Sequence, residues 1–241
     1  SYMLAIKLRR WWNLFSHAPF WMKRTMSRTG AGFYRLTRRG RMGAELLRRA
    51  AQEEELFWGG AIAFTELDKQ FLLTPHYRER LGDVSSHRVI TPYYERMERQ
   101  ASGADELVRI TYLDLKLRLP ELLLMRVDKV AMSTSVEGRE PFLDYRLVEL
   151  AMGIPMGVKI KNQPKYIFKK AVEGLLPEEV VYRKKMGFGL PLHEWFIKEL
   201  KDYFEASLFD SALKRREYFN YDYINWIFDI QQGGKKDYSF Q

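Results

Sequence analysis

Residues 126–144 read RVDKVAMSTSVEGREPFLD, and this segment is the most informative part of the sequence. Just before it, Pro120 is well placed as the first residue of a helix that we predict over 120–132, because proline suits the first helical turn. At its end, Asp144 can accept a hydrogen bond as the cap of a second helix, which we predict over 145–152. The sequence therefore predicts two helices joined by an irregular loop.

The predicted loop carries a carboxylate, Glu137. Gly138 permits unusual backbone angles, and Glu140 favours an extended conformation because Pro141 follows it. A carboxylate on such a loop can act as a base or orient an amine. The alternative is that Glu137 or Arg139 forms a salt bridge between the loop and the helix. From spacing alone, this structural role is favoured.

A second loop, residues 183–192, reads RKKMGFGLPL. Gly187 and Gly189 flank Phe188 and let the backbone approach a ligand closely. Lys185 can place its point charge on a phosphate oxygen. The alternative is a turn between two helices with solvated lysines, and a short glycine loop alone favours that alternative.

Five short motifs occur in order along the chain. They are RVDK at 126–129, VE-x-R-x-PFLD at 136–144, K-Y at 165–166, LP-x-E-V at 176–180 and R-x-K-x-GFG-x-P at 183–191. In this order and density they resemble the C-terminal part of the synthetase domain of glutamine-dependent asparagine synthetases. The resemblance is clear from Tyr112 to Phe196 and vague outside these limits.

The resemblance implies a fold class and an activity. The chain is expected to be mainly α, as the helical C-terminal portion of an α/β adenine-nucleotide synthetase domain of the PP-loop pyrophosphatase type. The family activates the side-chain carboxylate of aspartate with ATP, accompanied by magnesium, and forms an aspartyl-adenylate. Ammonia delivered from a glutaminase domain then displaces AMP. The resemblance thus implies part of a ligase of asparagine biosynthesis, acting on aspartate or a similar carboxylate and on glutamine.

The resemblance also implies roles for individual residues. The family's phosphate-contacting lysine falls on Lys185, close to Gly187, so both are expected to bind ATP and Lys185 to stabilise charge during catalysis. The glutamate of the VE motif falls on Glu137, the second catalytic candidate. The family's SGG-x-DSS phosphate loop and its SG-x-GADE-x-FGGY motif do not occur in this sequence. We therefore expect no metal ligands here, and we expect the isolated chain to be inactive.

The coarse organisation is a single helical fragment, with a basic helical insertion over 1–101 and a family-matching region over 102–241. A loop is predicted over 82–91, and the best candidates for short strands are 89–91 and 158–160. The remaining predicted helices cover 3–15, 20–28, 43–57, 66–72, 75–80, 103–118, 164–174, 178–182, 191–207 and 221–232.

The formal net charge is +9, and most of the excess lies between Lys7 and Arg49, where Glu45 is the one acidic residue. Aromatic residues such as Trp11 and Trp21 interleave with these bases. The pattern is compatible with binding to nucleic acid or to an anionic membrane surface. We favour a basic helical surface whose aromatics pack inward or dock on a neighbour.

Three hypotheses for function stay open at this point. The first is the asparagine synthetase fragment; the second is a related amidotransferase acting on another carboxylate; the third is a non-catalytic basic module for nucleic acid or membrane surfaces. The sequence has no cysteine, which excludes disulfides and thiolate sites within it. We expect no membrane span and a cytoplasmic location, regard nucleic acid as a poor candidate partner, and keep a homodimer as a further hypothesis.

Overall fold

The computed structural model describes residues 2–59, 62–161, 163–184 and 190–239, with side chains except those of 2–7 and 10. The helices of these residues include a π-helix, Asp114–Leu124, and a 3-10 turn, Pro141–Leu143. The α-helices are α1 (Tyr2–Ser16), α2 (Phe20–Thr37), α3 (Arg41–Ala51), α4 (Glu66–Leu72), α5 (Pro75–Leu81), α6 (His87–Gln100), α7 (Glu106–Leu113), α8 (Met125–Met132), α9 (Tyr145–Gly153), α10 (Met156–Ile160), α11 (Tyr166–Val172), α12 (Glu178–Tyr182), α13 (Leu192–Ile197), α14 (Lys201–Leu208), α15 (Ser211–Arg215) and α16 (Tyr221–Gln232).

The predicted mainly α fold class is confirmed. Within the described ranges, β pairing is limited to two isolated bridges, Leu73 with Phe219 and Glu173 with Leu176. Local chemistry explains several helix starts. Thr65 forms a capping box with Asp68 at the start of α4, which satisfies backbone N–H groups that the helix itself leaves unpaired.

Both predicted strands are wrong, and so is the end of the predicted loop over 82–91. Residues 89–91 lie in α6, which begins at His87. Their β-branched side chains favoured a strand, but Ile90 is buried and Thr91 donates its hydroxyl hydrogen to the His87 carbonyl over 2.9 Å. Residues 158–160 lie in α10, where the Val158 N–H bonds to the Pro155 carbonyl at 3.0 Å.

Helix α2 continues well past the predicted end at residue 28, through Gly30. A Cβ added at Gly30 would lie 2.9 Å from Cδ1 of Leu47, so the missing side chain permits close packing of α2 against α3. Helix α3 is shorter than predicted and stops at Ala51, and Glu53 then adopts a left-handed backbone conformation. The helix predicted over 191–207 is divided into α13 and α14.

The helices predicted over 103–118 and 120–132 form one continuous run, in which the π-helix connects α7 to α8. Pro120 lies inside the π-helix and is therefore not a helix start as predicted. Proline has no N–H to donate and its ring clashes with the carbonyl four residues earlier, so a wider turn relieves this part of the helix. The N–H of Met125 accordingly bonds to the carbonyl of Pro120, five residues back.

The chain divides into two compact units, described separately. Unit A comprises Lys7–Thr91 with Gly189–Gln241, and unit B comprises Ser1–Ile6 with Pro92–Phe188. In unit A, one apolar cluster joins Trp12 and Phe15 of α1 to Ala50 of α3.

The buried carboxylate of Asp68 connects four helices of unit A, namely α2, α3, α4 and α16. It accepts hydrogen bonds from the Thr65 N–H at 2.8 Å and from the Thr65 hydroxyl at 2.9 Å, which lie at the start of α4. Tyr34 of α2 and Tyr223 of α16 direct their hydroxyls at the same carboxylate, and Arg41 lies 3.4 Å from it. Such a network is stable because every lone pair of the buried charge finds a donor.

Unit B buries Leu107, Ile110 and Leu113, which form an apolar stripe along α7. From α8 to α12, in contrast, large apolar side chains lie on the surface. They include Val127, Val130, Met132, Val136, Phe142, Tyr145, Leu147, Leu150, Val158, Phe168, Leu175, Leu176, Val180 and Tyr182. An exposed apolar surface of this extent is typical of a docking surface for another part of a protein.

Candidate functional site

The Glu137 loop of unit B follows α8 directly. Its first residues close the helix, because the Val136 N–H bonds to the Ala131 carbonyl at 3.1 Å. The left-handed conformation in this loop belongs to Ser135, with a φ of 59°, and not to Gly138 as the sequence had suggested. Glu140 is extended before its proline, as predicted. The turn at Ser135 therefore sets the direction of the loop.

Glu137 itself is exposed, with 68% of its side chain accessible. Its carboxylate accepts hydrogen bonds from Nε and Nη2 of Arg139, each at 3.3 Å. Both members of this ion pair belong to the loop. The pair therefore does not join the loop to α8, as the structural alternative from the sequence proposed. The Glu137 carboxylate is accessible to a ligand, and its proposed catalytic role stays a prediction.

Lys185 and Gly187 lie outside the described residues. Their predicted contact with phosphate is therefore untested by the structure. The resemblance also implies that Lys185 and Glu137 face one common cleft, and this expectation stays a prediction too. The residues that precede Lys185 in the sequence are described. Helix α12 ends at Tyr182, and Arg183 and Lys184 follow it.

A cavity of about 640 Å³ lies next to this segment, within unit B. It is lined by four basic residues, Lys165, Lys169, Arg183 and Lys184, and by apolar side chains such as Phe168. Among the described residues that line it, none is acidic. A cavity with this lining suits an anionic ligand that also has an apolar part.

The four bases are positioned by different parts of the chain. Lys165 precedes α11 in a left-handed conformation, with a φ of 61°, which is uncommon for a residue with a side chain. On α11, Nζ of Lys169 lies 3.5 Å from Oε1 of Gln163 and 5.1 Å from the ring centroid of Tyr182. Sequence reasoning noted Lys165 in the K-Y motif but missed the cavity, since only the fold brings α11 and the end of α12 together.

Glu173 contacts Tyr182, which lines the cavity, and the charge of this carboxylate is already compensated. Glu173 accepts a hydrogen bond from Nζ of Lys170 at 2.8 Å and another from the hydroxyl of Tyr182. The bond from Lys170 is the main reason that the pKa of Glu173 is lowered. The same carboxylate raises the pKa of Lys170 and that of Tyr182. The cavity therefore keeps its excess of positive charge.

A second cavity of unit B, of about 470 Å³, is largely apolar and has Leu107, Phe142 and Ile160 in its wall. Lys159 also lines it, and partial burial lowers the pKa of its ammonium group. Its Nζ lies 3.4 Å from the carbonyl of Met152. With so few polar groups, this cavity is less suited than the basic one to a polar substrate.

The described residues contain no group of three or more His, Asp or Glu side chains arranged for a metal ion. Magnesium prefers carboxylate and other oxygen ligands. The basic cavity therefore suits phosphate groups and does not suit the cation that accompanies them.

Comparison with known proteins is consistent with this geometry. The family described as asparagine synthase matches residues 6–241. Asparagine synthetase [glutamine-hydrolyzing] 1 of Bacillus subtilis is 31% identical over 202 residues, which cover 83% of the chain and 30% of that protein. Asparagine synthetase [glutamine-hydrolyzing] 3 of the same organism is 39% identical over 107 residues, 44% of the chain and 17% of that protein. The chain thus spans about 30% of the length of the first relative. No solved structure is significantly similar to the chain.

Proposed function

Because the chain belongs to the asparagine synthase family, we propose that it is part of a glutamine-hydrolysing asparagine synthetase that uses ATP to amidate aspartate. The observation that carries the proposal is the family match over 6–241, to which relatives bearing this name add support. The proposal includes a cytoplasmic location and the division into an insertion, 1–101, and a family-matching region, 102–241.

The basic cavity supports a role in holding ATP. Lys165, Lys169, Arg183 and Lys184 line it, and Lys185 follows Lys184 in the sequence. ATP, when bound, supplies the adenylyl group that activates a carboxylate. The four bases are proposed to hold the phosphate groups and to lower the cost of the charge that develops on them, which is electrostatic stabilisation by groups already in place. Magnesium ligands are proposed to come from outside the described residues.

Glu137 is proposed to act on the nitrogen nucleophile. Its carboxylate is exposed and its hydrogen bonds to Arg139 are long, so one oxygen can turn to an incoming amine. A carboxylate at hydrogen-bond distance can orient ammonia and accept a proton as the new bond to carbon forms. Glu137 follows shortly after α8. This position supports the proposed role, because the helix anchors the start of the loop.

The apolar surface of α8 to α12 supports the proposal that this chain acts as part of a larger assembly. Side chains such as Val130 and Leu150 are exposed there, and water solvates such groups poorly. The relative in Bacillus subtilis has more than two thirds of its length beyond the matched region. We propose that further segments of a synthetase cover this surface and complete the nucleotide site.

The test is an activity assay on the longest polypeptide that the gene encodes. Pyrophosphate release and asparagine formation are measured with ATP, aspartate and either glutamine or ammonia. We expect both products to require aspartate. A double variant, Lys165→Ala with Lys169→Ala, should lower kcat/KM for ATP roughly a hundredfold or more, because hydrogen bonds to charged groups are each worth about 1.5–3 kcal/mol.

A matched control is Lys198→Ala with Lys201→Ala, which removes the same charge from exposed positions of unit A. This control should keep the kinetics of the unmodified enzyme. Pyrophosphate release with a different carboxylate and not with aspartate would favour the related amidotransferase. No ATP-dependent release with any carboxylate tested would contradict the proposal.

A further inference from the structure

Helix α2 of unit A turns large apolar side chains to the outside. Trp21 is 69% exposed and Leu36 is 88% exposed, and Phe20, Met26 and Phe33 are exposed as well. The inward face is occupied by Tyr34 and by Lys23, which pairs with Glu53 at 3.2 Å. The outer face therefore makes no contribution to the core of unit A.

Basic residues share this outer face. Arg24 and Arg28 are exposed and lie one turn apart, and Trp21, Arg28 and Leu36 recur at helical spacing on one side of the helix. The sequence contains no acidic residue before Glu45, and Glu45 is buried with Arg48 and Arg49. The outer face of α2 is therefore positive and has no carboxylate of its own, so charge complementarity favours an anionic partner.

The exposed aliphatic groups identify the kind of anionic partner. Nucleic acid bases stack on aromatic rings, but they provide no partner for a side chain such as Leu36. The headgroup region of an anionic bilayer accepts both kinds of group, because aliphatic side chains and tryptophan enter the acyl boundary while arginines stay with the lipid phosphates. Across the ranges that the structure describes, no helix is long and apolar enough to cross a membrane.

We propose that the outer face of α2, formed by Phe20, Trp21, Arg24, Arg28 and Leu36, binds the surface of an anionic lipid bilayer with the helix lying parallel to it. This site is independent of the synthetase activity proposed above and would bring the enzyme to a membrane surface. Its residues are separate from Glu137 and from the basic cavity of unit B.

The test is flotation of the longest polypeptide that the gene encodes, with vesicles of phosphatidylcholine alone and with vesicles that also contain phosphatidylglycerol. We expect binding to the anionic vesicles, little binding to the neutral ones, and release by added salt. The double variant Arg24→Gln with Arg28→Gln should lower the partition coefficient roughly thirtyfold. The variant Leu36→Ser should also weaken binding, since it removes an apolar group from the same face.

The matched control is Arg78→Gln with Arg80→Gln, which removes two exposed charges from α5 in the same unit. It should float with the anionic vesicles as the unmodified chain does. Trp21→Phe provides a second readout: binding should persist, while the blue shift of tryptophan emission on vesicle addition should shrink. Equal binding to neutral vesicles, equal loss in both arginine pairs, or displacement from vesicles by single-stranded RNA would overturn the proposal.

Discussion

Arg139 donates hydrogen bonds from Nε and Nη2 to Glu137 at 3.3 Å, within one loop and with both side chains exposed. The two residues meet because they are two positions apart in the sequence, and not because the fold buries them together. Exposed ion pairs contribute little to stability, because water screens the attraction and both side chains lose conformational freedom. Arg139 therefore shapes the surroundings of the carboxylate without fixing the fold.

The first prediction separates function from stability in this loop. Glu137→Gln and Arg139→Gln should each change the free energy of unfolding of the chain by less than about 0.5 kcal/mol. In the intact synthetase, Glu137→Gln should lower turnover, because the amide cannot accept a proton. Urea denaturation and the asparagine assay give the two values. Glu140→Gln, an exposed carboxylate of the same loop, is the control, and an equal loss of turnover there would contradict a specific role for Glu137.

The second prediction concerns the buried carboxylate of Asp68. Tyr34→Phe removes a hydroxyl donor from a carboxylate that is almost fully buried. The variant should lose about 1–3 kcal/mol of unfolding free energy, since a buried charge is left with one donor fewer. Tyr203→Phe changes the same atoms at an exposed position and should be neutral. Equal stability of the two variants in urea would show that the Asp68 network contributes little.

The third prediction is a loss of stability in alkali. Burial and the nearby Asp68 raise the pKa of Tyr223 from 10.0 to about 12, and burial also raises the pKa of Tyr34. The folded state therefore keeps protons that the unfolded state releases above pH 10.0, so the free energy of unfolding should fall as the pH rises from 10.0 towards 12. Melting temperatures between neutral and alkaline pH measure this slope. Tyr223→Phe should flatten it, and an unchanged slope would assign the effect to other groups.

The fourth prediction uses an asymmetry in the buried network of α3. Glu45 is fully buried and pairs with both Arg48 and Arg49, whereas Arg48 also pairs with Glu54. Burial lowers the pKa of Arg49, and Glu45 opposes that effect. Glu45→Gln leaves Arg49 without a counter-charge and should cost about 3–5 kcal/mol.

The control for this prediction is Glu95→Gln. Glu95 lies 3.9 Å from Arg99, and both side chains of this pair are exposed, at 60% and 68%, so its loss should cost much less. Thermal unfolding of both variants gives the comparison. If Glu95→Gln were as damaging as Glu45→Gln, burial of the pair would not be the cause.

Local chemistry made part of this structure predictable. The start of α9 after its cap Asp144 depends on a few adjacent residues and occurs where the sequence placed it, and α4 has the predicted bounds of 66–72. The strand predicted over the β-branched residues 89–91 was wrong. These residues form a helix because Ile90 is buried, and burial is a tertiary property that local propensity does not show.

Contacts between residues far apart in the sequence could not be predicted. Tyr223 reaches Asp68 across 155 positions, and no local pattern signals that contact. The same holds for the site. The motifs identified Glu137 and Lys185 through a resemblance. The basic cavity could not be predicted in this way, because it forms only where the fold brings α11 next to the end of α12.

The final prediction concerns Lys185, which lies outside the described residues. We expect the isolated chain to make no asparagine and to bind ATP weakly or not at all, because the phosphate loop of the family does not occur in its sequence. A lysine exposed to water gains little from a single phosphate contact, since solvent screens it. In the proposed intact synthetase we expect the same lysine to act in a drier site, where Lys185→Ala should cost about 2.7–4 kcal/mol of transition-state stabilisation if it behaves like an oxyanion-hole donor. Calorimetry on the chain and kinetics on the synthetase test the two halves. Micromolar ATP binding to the chain that Lys185→Ala abolishes would contradict this prediction, because it would show that the chain forms a complete nucleotide site without further segments.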